Sequence, residues 1–189
     1  RFGSTKALHL MPDGRTLLEH CLDSYKTRDI DVKVLVNSRN QAIGTHCKRL
    51  GVDALEVVGA EHGMAESLKA GIDYAESSGA RGAMIGLADM PYLTASMVDD
   101  LWGVFDRHYA AGQPLVAAPR YTGANRDGGV GQLGHPVIFS RELFAEFSGL
   151  QGDVGAKSII RAHKEFMVEL PTSDNSCILD IDRPSDLLI

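Results

Sequence analysis

Apolar residues recur in two alternating rhythms along this chain. Leu17, Leu18, Cys21, Leu22 and Tyr25 fall at helical spacing, and a strand over 32–36 and a helix over 40–50 follow. A short strand over 55–58 leads through Glu61-His62-Gly63 into a helix over 64–75. The apolar run 82–87 reads as a buried strand, and a helix over 94–109 follows it, with Thr94 as N-cap ahead of Met97, Val98, Leu101 and Phe105. A strand over 114–118 comes next. Beyond residue 134 the pattern predicts a strand over 135–139, short helices over 141–147 and 156–163, strands over 166–170 and 177–181, and a final helix opened by Pro184. Strands alternating with amphipathic helices predict a three-layer, Rossmann-like α/β fold: a mainly parallel sheet with helices on both faces, in one domain over 1–189. Right-handed crossovers would put the strands' carboxyl ends, and the active site, along one edge.

The stretch 120–134 breaks the rhythm. It holds five glycines with Asn125-Arg126-Asp127 between them, a composition that predicts a mobile loop closing over a second substrate, with Arg126 reaching an acidic group. The chain opens at Arg1, in what reads as a loop, so a first strand upstream is expected to be missing.

Composition narrows the class. At 189 residues, 44% hydrophobic and 23% charged, the chain suits one domain with a full core, and its net charge of −6 argues against a nucleic-acid partner held by bulk electrostatics. Cys21, Cys47 and Cys177 are widely spaced and form no C-x-x-C pair, so neither a disulfide framework nor a zinc site is indicated. A cytoplasmic protein is expected. No apolar run is long enough to span a bilayer, so no membrane partner is expected.

Chemistry concentrates in a few segments. Leu87-Ala88-Asp89-Met90-Pro91 closes the 82–87 strand, and Pro91 forces a turn that leaves Asp89 at the lip of the sheet, where ligands bind and a metal could sit. The other reading is an Asp that caps the next helix. Arg1-Phe2-Gly3-Ser4-Thr5-Lys6 sets two cations around a turn, either a triphosphate cradle or a solvated chain end. Gly63 opens a helix whose free amides favour an anion or a polar ligand edge, with Met64 and Ser67 in its first turn; Ser67 could equally be an exposed helix serine. In Asp180-Ile181-Asp182 alternation buries Ile181 and puts both carboxylates on the opposite face. Two such carboxylates repel unless a cation or base lies between them. Asp182 with Asp89 would make an oxygen site suited to Mg²⁺, Asp180 being the substitute; the other reading is that Asp182 caps the helix after it.

Taken in order, Arg1 to Lys6, Gly63-Met64-x-x-Ser67-Leu68-x-x-Gly71, Leu87 to Pro91, Gly134-His135-Pro136, Gly152-Asp153-x-Gly155-Ala156-Lys157 and Asp180-Ile181-Asp182-x-Pro184 resemble one family over essentially the whole chain. This is the nucleotidyltransferase family similar to molybdenum cofactor cytidylyltransferase. The Gly-Met-x-x-Ser-Leu and Gly-Asp-x-Gly-Ala elements favour its cytidylyl over its guanylyl branch. Ala88 stands where the family usually has glycine, and Lys157 where it usually has arginine, which keeps a cation but loses the planar fork. The family's opening phosphate loop, which helps choose between CTP and GTP, is matched only at its end.

The resemblance implies Mg²⁺-dependent transfer of CMP from CTP to molybdopterin with release of pyrophosphate. Asp89 and Asp182 would hold the metal, Lys6 would act in catalysis, and Arg1, Gly3, Lys6, Gly63, Met64, Ser67 and Ala88 would bind the nucleotide. His135, Asp153 and Lys157 would face the acceptor. A molybdoenzyme or its maturation chaperone would be the protein partner. Transfer of GMP from GTP, or transfer to a sugar or polyol phosphate on the same fold, are the alternatives.

Overall fold

The structure, a computed structural model, describes residues 5–26, 30–124, 130–183 and 185–186. Thr16 starts α1 (Leu17–Asp23) with a capping box: its side chain accepts from the Glu19 N–H, and the Glu19 carboxylate accepts from the Thr16 N–H. Leu17, Leu18, Cys21 and Leu22 are buried along that helix. β1 (Lys33–Asn37), α2 (Gln41–Leu50) and β2 (Asp53–Val57) follow, the two strands pairing in parallel from Lys33↔Asp53 to Asn37↔Val57. Then come α3 (Met64–Ser77), β3 (Gly82–Ile85) and α4 (Ala95–His108), which Thr94 caps by accepting from the Met97 N–H.

β4 runs Val116–Ala124, much further than the apolar stretch alone predicts. β5 (Val130–Leu133) pairs back on it, so the stretch expected to be a mobile loop is largely a β-hairpin. Its tip, with Arg126, lies outside the described residues. Backbone pairing supplies the order that the side chains lack, and Arg120 ties the hairpin down, pairing with Glu169 and donating to the Gly131 carbonyl. β6 (Val137–Ser140), a 3₁₀ helix Arg141–Gly149, α5 (Lys157–Ala162) and β7 (Met167–Thr172) complete the elements up to residue 172.

β1 and β2 form a parallel pair of their own, and in the five-stranded sheet only the return strand, β5 and β6, runs against the rest. β4 pairs in parallel with β7, whereas β6 runs antiparallel to both β3 and β4. The reason is the connection: β3 and β4 are joined through α4 and share one direction, β6 is reached through a hairpin, which reverses the chain, and the helical segment after β6 brings it back in β7 to the direction of β4. β5 and β6 are one return strand with an irregularity. Between Arg120↔Leu133 and Ala117↔Ile138, β4 spends two residues (118 and 119) where the return strand spends four (134 to 137). That bulge holds Gly134-His135-Pro136.

Helices cover both faces, as alternation requires. On one face Val116, Ala118, Val137 and Phe139 pack against Leu68 and Ile72 of α3, Ile159 of α5 and Phe144 and Phe147 of the 3₁₀ helix. On the other, Ala117 and Ile138 pack against Leu101 and Phe105 of α4. The strand expected over 177–181 does not form. A 3₁₀ helix, Asn175–Ile178, takes its place, because the Asp174 side chain accepts from the Ser176 N–H at 2.9 Å and turns the chain locally. Among the described residues no helix is long and apolar enough to cross a membrane.

Candidate active site

Three segments far apart in the chain converge beyond β3. Lys6 begins a 3₁₀ turn, Lys6–Leu8, whose Ala7 packs on Leu18, Leu22 and Cys47. Asp89 lies in a turn four residues past the end of β3, not at the strand end itself. Asp182 follows Ile181, which is fully buried against Met11, Leu17 and Cys21. The Ile181 N–H donates to the Asp89 carbonyl at 2.9 Å, so the backbone of one carboxylate segment is pinned to that of the other.

The Lys6 ammonium bridges them. Its Nζ lies 2.8 Å from Asp89 Oδ2 and 3.1 Å from Asp182 Oδ1. Burial alone would push the lysine's pKa down, but hydrogen bonds to the two aspartates, with their charges, outweigh it and hold the pKa above the usual value. The lysine, predicted to face a triphosphate, is thus the cation between the two carboxylates. Among the described residues the Asp182 side chain caps no helix; the helix expected from Pro184 falls largely outside them. The Asp186 carboxylate, which the sequence reading did not single out, accepts from the Asp182 and Arg183 N–H groups at 3.0 and 2.8 Å and leaves the Asp182 side chain for Lys6.

The site suits a hard divalent cation. Asp89 Oδ1 is buried without a hydrogen-bond partner among the described residues, although Oδ2 is engaged. No group of three or more His, Cys, Asp or Glu side chains among the described residues could hold a metal. Two carboxylates are nevertheless what Mg²⁺ takes when substrate phosphates supply further oxygens. Beneath them the Cys21 thiol is buried, and that burial pushes its pKa up to about 12, so it stays an inert thiol.

His135 sits on the bulge of the return strand. Its N–H donates to the Cys177 carbonyl at 2.7 Å, and a Cβ on Gly134 would lie 2.4 Å from that same oxygen, so only glycine permits this approach. The imidazole Nδ1 is buried without a partner among the described residues. Burial lowers the pKa of His135; the Ile85 backbone and the charges of Asp89 and Asp180 oppose this, and Lys157 adds to it. Asp180, expected as a substitute metal ligand, is the weakest of the charges felt by His135, while Lys6 pairs with Asp182. Because the unfolded chain binds this proton more readily, the stability contributed by neutral His135 is complete above about pH 6.5 and falls below it. Denaturant titrations at about pH 7.5 and 5.5 should show a loss of stability in the wild type that His135→Gln reduces, since glutamine does not titrate. An unchanged loss would assign the pH dependence to other groups.

One residue expected at the acceptor lies beside residues expected at the nucleotide. Asp153, expected at the acceptor, lies against the start of α3, where its carboxylate accepts from the Met64 N–H at 3.3 Å. The Ala65 N–H donates to the Gly152 carbonyl at 3.1 Å, so two helix-end amides expected to meet a ligand are already engaged by the 152–153 loop. Ser67, Gly63, Met64 and Asp153 line an open cleft of about 570 Å³ together with Ala60, Glu61 and His62. Lys157, exposed at the start of α5, connects this side to the other, its charge reaching His135. Ala88 is exposed beside Asp89. Arg1 and Gly3 lie outside the described residues.

Comparison with known proteins follows this geometry. The chain is 29% identical over 128 residues to the purine catabolism protein PucB of Bacillus subtilis, an alignment covering 67% of this chain and 55% of PucB. It is 36% identical over 104 residues to the phosphoenolpyruvate guanylyltransferase of Sphaerobacter thermophilus, covering 52% of this chain and 49% of that protein. The chain thus spans about half the length of the curated relatives it matches. Among solved structures, Rv0371c of Mycobacterium tuberculosis superposes with a TM-score of 0.75 at 25% identity, over 98% of this chain and 88% of the other. A manganese complex of Rv0371c gives 0.73 at 24% identity, over 97% and 90%. The 4-diphosphocytidyl-2C-methyl-D-erythritol synthase of Anaerococcus prevotii shares the fold with a TM-score of 0.72 at 13% identity, over 98% and 89%. The description of the MobA-like NTP transferase domain matches residues 1–166, and the chain belongs to that family of nucleotidyltransferases.

Proposed function

We propose that this protein transfers CMP from CTP to a molybdopterin-type acceptor, releasing pyrophosphate, and that it uses Mg²⁺ to do so. The observation that carries this reading is the Lys6 ammonium set between Asp89 and Asp182, with Asp89 Oδ1 buried and without a hydrogen-bond partner among the described residues. A phosphate oxygen of the acceptor would attack the α-phosphorus in line as the bond between the α- and β-phosphates breaks and pyrophosphate leaves. Such a step needs positioning and charge neutralisation more than covalent help. Asp89 and Asp182 would hold the metal, which when bound neutralises phosphate charge. Lys6 would offset charge on the triphosphate. Gly63, Met64, Ser67 and Ala88 would hold the nucleotide, with Asp153 beside Met64; Arg1 and Gly3 would extend that set. His135 and Lys157 would face the acceptor. Residues 1–189 form a single domain on this reading, and the cytoplasm is its compartment, in keeping with three buried free cysteines.

A second reading has its own support. The phosphoenolpyruvate guanylyltransferase relative favours GTP and another phosphorylated acceptor, and sugar or polyol phosphates belong to the same group of alternatives. Pyrophosphate release should be measured for each nucleoside triphosphate against a panel of molybdopterin, phosphoenolpyruvate and sugar phosphates. Release is expected with CTP and molybdopterin, to be abolished by EDTA and restored by Mg²⁺. Preference for GTP or for a different acceptor would replace the cytidylyl reading, and release that EDTA leaves intact would overturn the metal.

A further inference from the structure

We infer that Lys6 is a built-in counter-ion, which holds the Asp89–Asp182 pair while the metal is away and yields its place when a divalent cation arrives with the nucleotide. The inference rests on reading Asp89 and Asp182 as metal ligands. Its starting point is distance. Nζ is 2.8 Å from an oxygen of one carboxylate and 3.1 Å from an oxygen of the other. A Mg²⁺ or Mn²⁺ ion taking those same two oxygens, at roughly 2.0 to 2.2 Å each, would need the gap that the ammonium fills. A dication and an ammonium cannot share it, because nothing anionic would lie between them.

The surroundings permit an exchange. The Lys6 side chain keeps 30% of its surface exposed on a flexible stem, and the Asp182 side chain keeps 72%, so neither is locked by packing. Asp89 is the fixed member, its other oxygen buried. Metal alone must therefore displace the lysine without giving it a new partner, whereas metal with a nucleotide offers the ammonium a phosphate. Nucleotide and metal affinities become coupled, and the empty site resists stray cations.

Mn²⁺ binding without nucleotide, measured from the free-ion electron paramagnetic resonance signal, tests this directly. Lys6→Gln should bind Mn²⁺ about tenfold or more tightly than wild type, and Lys6→Arg should stay as weak as wild type. Adding Asp89→Asn to Lys6→Gln should remove the gain. Lys157→Gln, which deletes a nearby exposed charge, should change affinity by less than about twofold, separating contact from bulk charge. Lys6→Met serves as a second variant if circular dichroism shows that Lys6→Gln does not fold. Unchanged or weaker Mn²⁺ binding in the folded Lys6 variants would overturn the exchange, since the ion would then sit on Asp89 Oδ1 with the lysine in place. An equal gain in Lys157→Gln would overturn it too. The metal site itself fails in a different way: Asp89→Asn in the otherwise wild-type chain would leave both Mn²⁺ binding and turnover untouched.

Discussion

Asp89→Asn is expected to lower metal-dependent pyrophosphate release by about a thousandfold while the chain stays folded. The substitution keeps the shape of the side chain and removes the negative charge that faces Lys6 at 2.8 Å. Lys6 would keep only Asp182, whose side chain is largely exposed and screened. The cost to stability should stay within about 1 kcal/mol, because a partly solvent-exposed ion pair contributes little and the backbone bond from Ile181 to the Asp89 carbonyl does not involve the side chain. Single-turnover assays beside thermal unfolding would separate the two effects. Full activity in the variant would remove Asp89 from the site.

Gly63→Ala should be among the most destabilising single changes in the chain, at about 3 to 4 kcal/mol. Gly63 has φ +125° and ψ 176°, a conformation essentially reserved for glycine. An added Cβ would lie 2.2 Å from the carbonyl carbon of Gly152, 2.3 Å from its oxygen and 2.6 Å from the Asp153 nitrogen. All three are backbone atoms, so the 152–153 loop must move and take with it the bonds to the Met64 and Ala65 N–H groups. A melting temperature lower by on the order of 10 °C is expected. Gly155→Ala is the control: its Cβ would meet only the Met64 Sδ, at 3.6 Å, and should change little. A drop no larger in Gly63→Ala than in Gly155→Ala would show that the loop yields freely.

Local patterns carried much of the architecture. Helical spacing and the Thr94 cap located α4, and the strand and helix rhythm up to β3 held within two or three residues. Alternation correctly predicted that Ile181 is buried, although no strand forms there: a local Asp174 turn prevails where five residues of weak alternation compete with it. The 120–134 stretch went astray for the opposite reason. Its glycines carry no packing signal, and its order comes from pairing with β4 and from Arg120 meeting Glu169, a residue 49 positions later.

Strand direction was also beyond local reading. Whether β6 runs with or against its neighbours depends on whether it is reached through a helix or a hairpin, and the hairpin was not recognised in the sequence. The candidate site divides along the same line. The amino-acid sequence by itself offered the candidate groups: Lys6, Asp89 and Asp182 through residue type and the repulsion of paired acids, and His135 through the family resemblance. Only the tertiary structure decided who partners whom. Lys6 stands 83 residues from Asp89 and 176 from Asp182, and Asp153 meets the start of α3 from 89 residues away. Side-chain chemistry is a property of each residue and its near neighbours, whereas these pairings depend on how helices and hairpins bring distant segments into hydrogen-bond contact, which no short window of sequence contains.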